Sequence, residues 1–284
     1  MPAWAEPRSL AILSDFSPDS FGVIGLGRMA QALLFPLMAS GLVPRERVSA
    51  VVASEASARR LAAAQPGLAV GTDPAAAWRA RALLLAVKPQ QLQAVAATAP
   101  SPEAGAESPL LISVLAGVTL ARLEALFPGR RIVRAVPNTP CLVRAGLTGL
   151  AWGAGITEPQ RAWVQQLFAQ VGEVLELPEP QLDAFLALTS SGPAFVALVA
   201  EAMADGAVAS GLPRLLAQHL AHRTLAGTAA LLHEQELHPG QLKDMVSSPA
   251  GTTIAGLRQL ERGGARSALI EAVIAAAERS RELA

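Results

Sequence analysis

"FGVIGLGRMA", residues 21–30, decides the fold. A short apolar run from Phe21 to Leu26 feeds into a helical pattern that continues from Met29 to Ser40 and stops at Gly41. At the junction the small residues fall as Gly22-x-x-Gly25-x-Gly27-x-x-Ala30. Gly25 permits a tight turn, Gly27 lets the backbone approach a pyrophosphate seated on the helix N-terminus, and Ala30 lets the helix pack closely on a sheet. Alone, GxGxxA is a weak signal, because a glycine-rich turn in an α/β protein can bind nothing. On the first strand–helix junction of a βαβ unit it points to a dinucleotide site. Gly25, Leu26, Gly27, Arg28 and Met29 are then the candidate cofactor contacts of this turn.

Downstream, apolar runs alternate with helical patterns. "VSAVVA" (48–53), "ALLLAV" (82–87), "PLLISVL" (109–115), "RIVRAV" (131–136), "LTGLAW" (147–152) and "EVLELP" (173–178) read as strands. Residues 55–64, a stretch from Thr119 and residues 158–170 read as helices, and Pro100, Pro102 and Pro109 bracket a surface loop. Strands of this kind between helices imply a parallel sheet covered on both faces, a Rossmann-like α/β domain. After Pro178 the texture changes. Ala- and Leu-rich helical segments run at 181–210, 213–235, 239–246, 254–262 and 264–282, with no convincing strand. The first two carry apolar or small residues on nearly every face, which suggests burial by another subunit. The chain therefore divides into an extension (1–20), a dinucleotide-binding domain (21–178) and an all-α dimerisation domain (179–284).

In an open parallel sheet, ligands gather at the carboxyl ends of the strands. Val87-Lys88-Pro89, Ala116-Gly117 and Pro137-Asn138-Thr139-Pro140 all follow strands, so they should line one crevice with the Gly25 turn. Lys88 faces cofactor phosphate or ribose there, or is a solvated strand end. The flanking prolines withhold amides and leave Asn138 and Thr139 as the polar groups. The second strand ends at Ala53 without an acid at its terminus, followed by Ser54, Glu55, Ser57, Arg59 and Arg60. An acid there would hold a ribose 2′-hydroxyl, whereas hydroxyl and basic groups hold a 2′-phosphate. NADPH is thus favoured over NADH, which Glu55 keeps possible.

Composition narrows the function further. Basic and acidic residues balance at 23 each, so nothing suggests nucleic acid or an anionic membrane surface as partner. The single cysteine, Cys141, excludes an internal disulfide and a CxxC metal framework, and suits a reducing cytoplasm. No run of 18 uncharged apolar residues occurs, which argues against a membrane span. His219 and His222 lack a third ligand at metal spacing, so no metal is expected. Glu201 and Asp205 share a helix face without the setting that paired-carboxylate hydrolysis needs.

"VSSPAGTTIAGL" (246–257) stands apart: four hydroxyls, two glycines and a proline in twelve residues, and no charge. With "GVIGLGRMA", "LLLAVKPQ", "ISVLAG", "VRAVPNTP", "TSSGPAF" and "EAMADGAVASGLP" it occurs in the order and spacing of pyrroline-5-carboxylate reductase. The chain resembles that family from residue 21 to about 280. The resemblance implies NAD(P)H-dependent reduction of a cyclic imine to L-proline, the last step of proline biosynthesis. It also implies a homodimer with intertwined helical domains, often in larger rings of dimers. On this basis Ser248, Gly251, Thr252 and Thr253 bind substrate, and Thr253 bonds the ring nitrogen. Free amides at Gly251, Thr252 and Thr253 would hold the substrate carboxylate without Lys or Arg. A plain helix cap by Thr252 or Thr253 is the other use for these hydroxyls. The chain departs from the family at Ser190 and Ala250, where glycine is usual, and at Val136, where methionine is usual. Ala250 disfavours a positive φ in the loop.

Two other functions compete. A β-hydroxyacid dehydrogenase has the same domain plan but needs a lysine on the first helix of its second domain, and 181–204 has none. A nucleotide-sensing scaffold would bind cofactor without turnover, which the intact "PNTP" and "GTTIAGL" segments disfavour.

Overall fold

A computed structural model of the chain describes residues 16–100 and 108–282. Its sheet has eight strands: β1 (Phe21–Ile24), β2 (Val48–Val51), β3 (Ala69–Gly71), β4 (Ala82–Leu85), β5 (Leu110–Ser113), β6 (Arg131–Pro137), β7 (Gly146–Trp152) and β8 (Gly172–Glu176). Between them lie α1 (Arg28–Ala39), α2 (Glu55–Ala64), α3 (Ala75–Trp78), α4 (Leu92–Ala96), α5 (Leu120–Leu126) and α6 (Glu158–Ala169). Six further helices follow: α7 (Leu182–Thr189), α8 (Gly192–Ala209), α9 (Arg214–Glu234), α10 (Pro239–Met245), α11 (Thr252–Arg262) and α12 (Ala265–Glu282). The strand order is β3-β2-β1-β4-β5-β6-β7-β8.

The apolar runs are explained by burial on both faces. Ala82, Leu84, Leu110 and Ile112 join Leu33, Leu34 and Leu37 of α1 and Trp163, Leu167 and Phe168 of α6 in one core. Leu83, Leu85, Leu111 and Ile132 point the other way, into a second core with Trp78, Leu92, Leu123 and Phe127. Alternate residues serve opposite layers, so the central strands are apolar on both faces, with few buried polar residues such as Ser113 and Arg134.

The sheet is not wholly parallel. β7 runs antiparallel to β6, while every other neighbouring pair is parallel. A parallel return needs a crossover of a dozen or more residues, and only a 3-10 turn, Thr139–Val143, separates these strands. Nor is the segment before residue 21 wholly loose. Phe16 meets Trp163 edge-on at 5.7 Å, and the Ser20 carbonyl accepts from the Ala82 amide at 3.3 Å. The loop that Pro100, Pro102 and Pro109 bracket lies largely outside the described residues.

The described residues form two compact units, which divide between Ser190 and Ser191, with residues 277–282 belonging to the first. The expected helix over 181–210 is broken at this point into α7 and α8. α7 stays with the sheet because Leu182 is fully buried with Val136 and Ala151. Within the second unit α8 packs on α9 through Ala204, Ala217 and Ala221. The small side chains let the two backbones approach, while Val196, Leu198, Leu215 and Leu216 remain exposed. The stretch Glu179–Ala209 also contains 18 consecutive residues apolar enough to cross a membrane by length and composition alone. That qualifies the expectation drawn from apolar run length.

Candidate active site

The Gly25 turn is built as its sequence requires. Gly25 has φ 94, and a Cβ there would stand 2.8 Å from the Ala86 carbonyl and from Val87 Cγ1. The amides of Gly25 and Leu26 donate to the Val51 carbonyl at 3.0 and 3.2 Å, which seats the turn on the end of β2. A Cβ at Gly27 would meet nothing within 4 Å, so the space above the turn is open. Gly27 is the N-cap of α1 and no side chain caps the helix. The first-turn amides of Arg28, Met29 and Ala30 have no acceptor inside the helix and face anionic groups by default. These features fit a pyrophosphate. Leu26 differs from its neighbours: its side chain is buried in the core, so only its backbone belongs to the turn. Met29 is half-buried against the same core and Arg28 is exposed.

The ends of the neighbouring strands complete the crevice. Val87 lies alongside Gly25, Lys88 is exposed with its amide donating to Gln91 Oε1 at 3.3 Å, and Pro89 opens a short 3-10 turn. Ser54 caps α2, accepting from the Ser57 amide at 3.3 Å. Glu55 accepts from Thr72 Oγ1 at 2.6 Å, and Arg59 and Arg60 are exposed.

Asn138 is placed differently from the sequence expectation. Its side chain is 4% exposed, donates to the Thr189 carbonyl at 2.9 Å and accepts from the Leu147 amide at 2.8 Å. It belongs to the framework behind the crevice, where it fastens the end of α7 to β6 and β7. Cys141 is buried beside it, and that burial raises the thiol pKa. The thiol therefore stays protonated near neutral pH.

In the second unit the uncharged loop has its own geometry. Ala250 takes φ 55, the left-handed conformation, despite its Cβ. The Gly251 amide donates to the Ser248 carbonyl at 3.0 Å, so it is not free as the sequence suggested. A Cβ on Gly251 would stand 2.3 Å from Ser248 Oγ. Gly251 is itself the N-cap of α11 and no side chain caps this helix, so neither Thr252 nor Thr253 acts as the cap. The amides left without an intrahelical acceptor are those of Thr252, Thr253 and Ile254. Thr253 is half-buried and Thr252 and Ser248 are exposed. Such a turn receives a small anion without any cationic side chain.

Two features escaped the sequence. Thr72 follows β3, a three-residue edge strand with no apolar run to announce it. Arg134 is 2% exposed and binds Glu179 at 3.0 Å and Asp183 at 3.4 Å. Its signal was available: a charge inside an otherwise apolar strand needs a partner. Among the described residues no group of three His, Cys, Asp or Glu side chains gathers as a metal site. His222 instead lines a cavity of about 440 Å³ between α8 and α9 with Glu201 and Asp205, and Asp205 is paired with Arg214.

Comparison with known proteins identifies the family to which this fold belongs. The family described as pyrroline-5-carboxylate reductase dimerisation matches residues 179–283, and that described as NADP oxidoreductase coenzyme F420-dependent matches residues 20–117. A pyrroline-5-carboxylate reductase of Synechocystis sp. is 47% identical over 265 residues, covering 92% of this chain and 97% of the relative. The solved structure of a pyrroline-5-carboxylate reductase from Coxiella burnetii has a TM-score of 0.83 at 32% identity, covering 95% of this chain and 99% of its own. The Plasmodium falciparum pyrroline carboxylate reductase, solved with NADP bound, has a TM-score of 0.81 at 26% identity and covers 94% of this chain and 99% of its own. With relatives matched at this identity along nearly their whole length, the chain belongs to the pyrroline-5-carboxylate reductase family.

Proposed function

We propose how the residues described above divide the work of this family's reaction. The chain is an oxidoreductase that reduces 1-pyrroline-5-carboxylate to L-proline with a nicotinamide cofactor, the last step of proline biosynthesis, and it assembles as an oligomer. The cofactor supplies a hydride to the ring carbon of the C=N bond. In our reading Gly25, Leu26, Gly27 and the amides of Arg28 and Met29 hold the pyrophosphate, and Val87, Lys88 and Pro89 wall the crevice. Arg59 and Arg60, on the helix that Ser54 caps, favour a 2′-phosphate, so NADPH is preferred and NADH is the poorer donor. Asn138 acts through the framework that it braces.

On the substrate side, the amides of Thr252, Thr253 and Ile254 hold the carboxylate, and Gly251 and Ser248 form the turn that presents them. The Thr253 hydroxyl accepts from the N–H of the ring. A cyclic imine is basic enough to be substantially protonated near neutral pH, so its carbon already accepts hydride without an acid from the protein, and the neutral amine formed takes its second proton from water. An uncharged loop suits this chemistry, because a lysine or arginine beside the nitrogen would disfavour the iminium. The observation that carries the reading is the N-terminus of α11, capped by glycine and entered by an uncharged turn.

The working unit is a cytoplasmic homodimer, assembled further into rings of dimers, with no nucleic-acid or membrane partner. A second copy takes up the exposed apolar surface of α8 and α9. The test of the whole reading is NADPH and NADH oxidation with 1-pyrroline-5-carboxylate. A higher kcat/KM for NADPH supports it, and a clear preference for NADH overturns the cofactor assignment and makes Glu55 the ribose ligand.

A further inference from the structure

We propose that Thr72 is a specificity-determining residue for the cofactor, because it holds the Glu55 carboxylate away from the ribose position at the end of β2. The inference deepens the NADPH reading and rests on it.

Three observations place Thr72 there. The Gly25 and Leu26 amides both bond the carbonyl of Val51, the last residue of β2, so the pyrophosphate turn rests against that strand end. In a fold of this kind the adjoining ribose meets the residues just after β2. From Val52 to Arg60 the one carboxylate is Glu55. Next, the Val52 amide donates to the Gly71 carbonyl at 3.0 Å, which brings the end of β3 beside the end of β2. Finally, Thr72 follows Gly71, and its hydroxyl donates to Glu55 Oε1 at 2.6 Å.

A free Glu55 carboxylate would accept hydrogen bonds from the ribose hydroxyls and repel a 2′-phosphate, which favours NADH. Bonded to Thr72, it is directed toward β3 instead. Ser54 cannot substitute for this restraint, because its hydroxyl is engaged with the Ser57 amide at 3.3 Å and the Ser57 hydroxyl at 3.1 Å. Arg59 and Arg60 are then left to set the charge at the site.

The test is calorimetric binding of 2′-phospho-ADP-ribose and ADP-ribose, which needs no turnover, alongside kcat/KM for both reduced cofactors. Thr72→Val keeps the shape and removes the donor. It should weaken 2′-phospho-ADP-ribose and tighten ADP-ribose, each by about two- to tenfold, the span of one net hydrogen bond. Thr72→Ser should behave as wild type, and Glu55→Gln added to Thr72→Val should cancel the gain for ADP-ribose. An unchanged preference in Thr72→Val, or weaker ADP-ribose binding, overturns the proposal. Should Thr72→Val fail to fold, Glu55→Gln alone decides: unchanged ADP-ribose affinity supports the restraint, and a loss shows that Glu55 already binds ribose. The NADPH reading fails separately, if wild type itself binds ADP-ribose more tightly than the 2′-phospho form.

Discussion

Ala250 is a residue whose backbone and side chain disagree. Its φ of 55 is the conformation that glycine adopts freely, and an L-residue there costs about 1–2 kcal/mol. Glycine at this position would remove that cost but add chain entropy to the unfolded state, about 0.4–1 kcal/mol in the other direction. The difference favours glycine, so Ala250→Gly should raise Tm by about 1–3 °C for a chain of this size. A Tm that stays or falls would show that the loop is not strained. Thr253 answers to a different measurement. Thr253→Val removes a hydroxyl that has no capping role, so the fold should be unaffected. If the bond to the ring nitrogen strengthens as charge shifts there, kcat should fall by about tenfold to a few hundredfold, equivalent to about 1.5–3 kcal/mol. NADPH affinity, measured by fluorescence titration, should remain, because the phosphate turn belongs to the first compact unit. Equal kcat in variant and wild type would remove Thr253 from the reaction. The loop's position before a helix was legible from its proline, glycines and hydroxyls. The engagement of the Gly251 amide was not, because it depends on a turn closed by a positive φ at Ala250, which the residue types disfavour.

At the level of elements, β6 organises the first unit. Arg134 reaches from its buried middle to Glu179 and Asp183. Glu179 also accepts from the Leu120 amide at the start of α5 at 2.6 Å, and Asp183 accepts from Ser280 of α12 at 2.7 Å. One guanidinium thus joins a strand, the entry to α7 and, through Asp183, the last turns of the C-terminal helix. Arg134→Leu would leave the two carboxylates without their cation. We expect a loss of about 2–4 kcal/mol in urea unfolding, below the upper end for a fully buried pair because Glu179 and Asp183 keep 27% and 18% exposure. A change under about 1 kcal/mol would mean that water replaces the guanidinium without penalty. The elements themselves were largely legible. Helix α2 falls on the expected residues 55–64, and the long strands stand out because both of their faces are buried. What escaped was short or set by connection. β3 has three residues at the sheet edge, none fully buried, so it carries no pattern. The reversal at β7 follows from the length of a turn and not from the residues of either strand. Asn138 was placed in the crevice because it follows a strand. Its two hydrogen bonds lead inward because the end of α7, far along the sequence, supplies a carbonyl there.

Over the whole molecule, the two compact units differ in what they bury. The first holds two extended cores of large side chains, one on each face of the sheet. In the second, α8 has 18 residues and buries only Ala200 and Ala204, while α11 buries none. Leu198 at 66% exposure and Leu215 at 83% stand in water in a single copy. Alanine contacts hold α8 and α9 close but bury little area, and each large side chain covered on association contributes about 1.5–3 kcal/mol. A helical unit with so small a core of its own should gain stability on association, and we expect folding and association to be coupled. Two consequences can be measured. Tm should rise with protein concentration, because dilution favours the unfolded monomer by mass action. Leu198→Glu, which sets a charge into surface that a partner should cover, should give a species of monomer mass in light scattering and lose most activity with 1-pyrroline-5-carboxylate. The contrasting change Arg60→Glu, on an exposed face of the first unit, should leave the mass unchanged. A fully active monomer with a concentration-independent Tm would mean that the exposed leucines are tolerated in water and that one copy is the working unit.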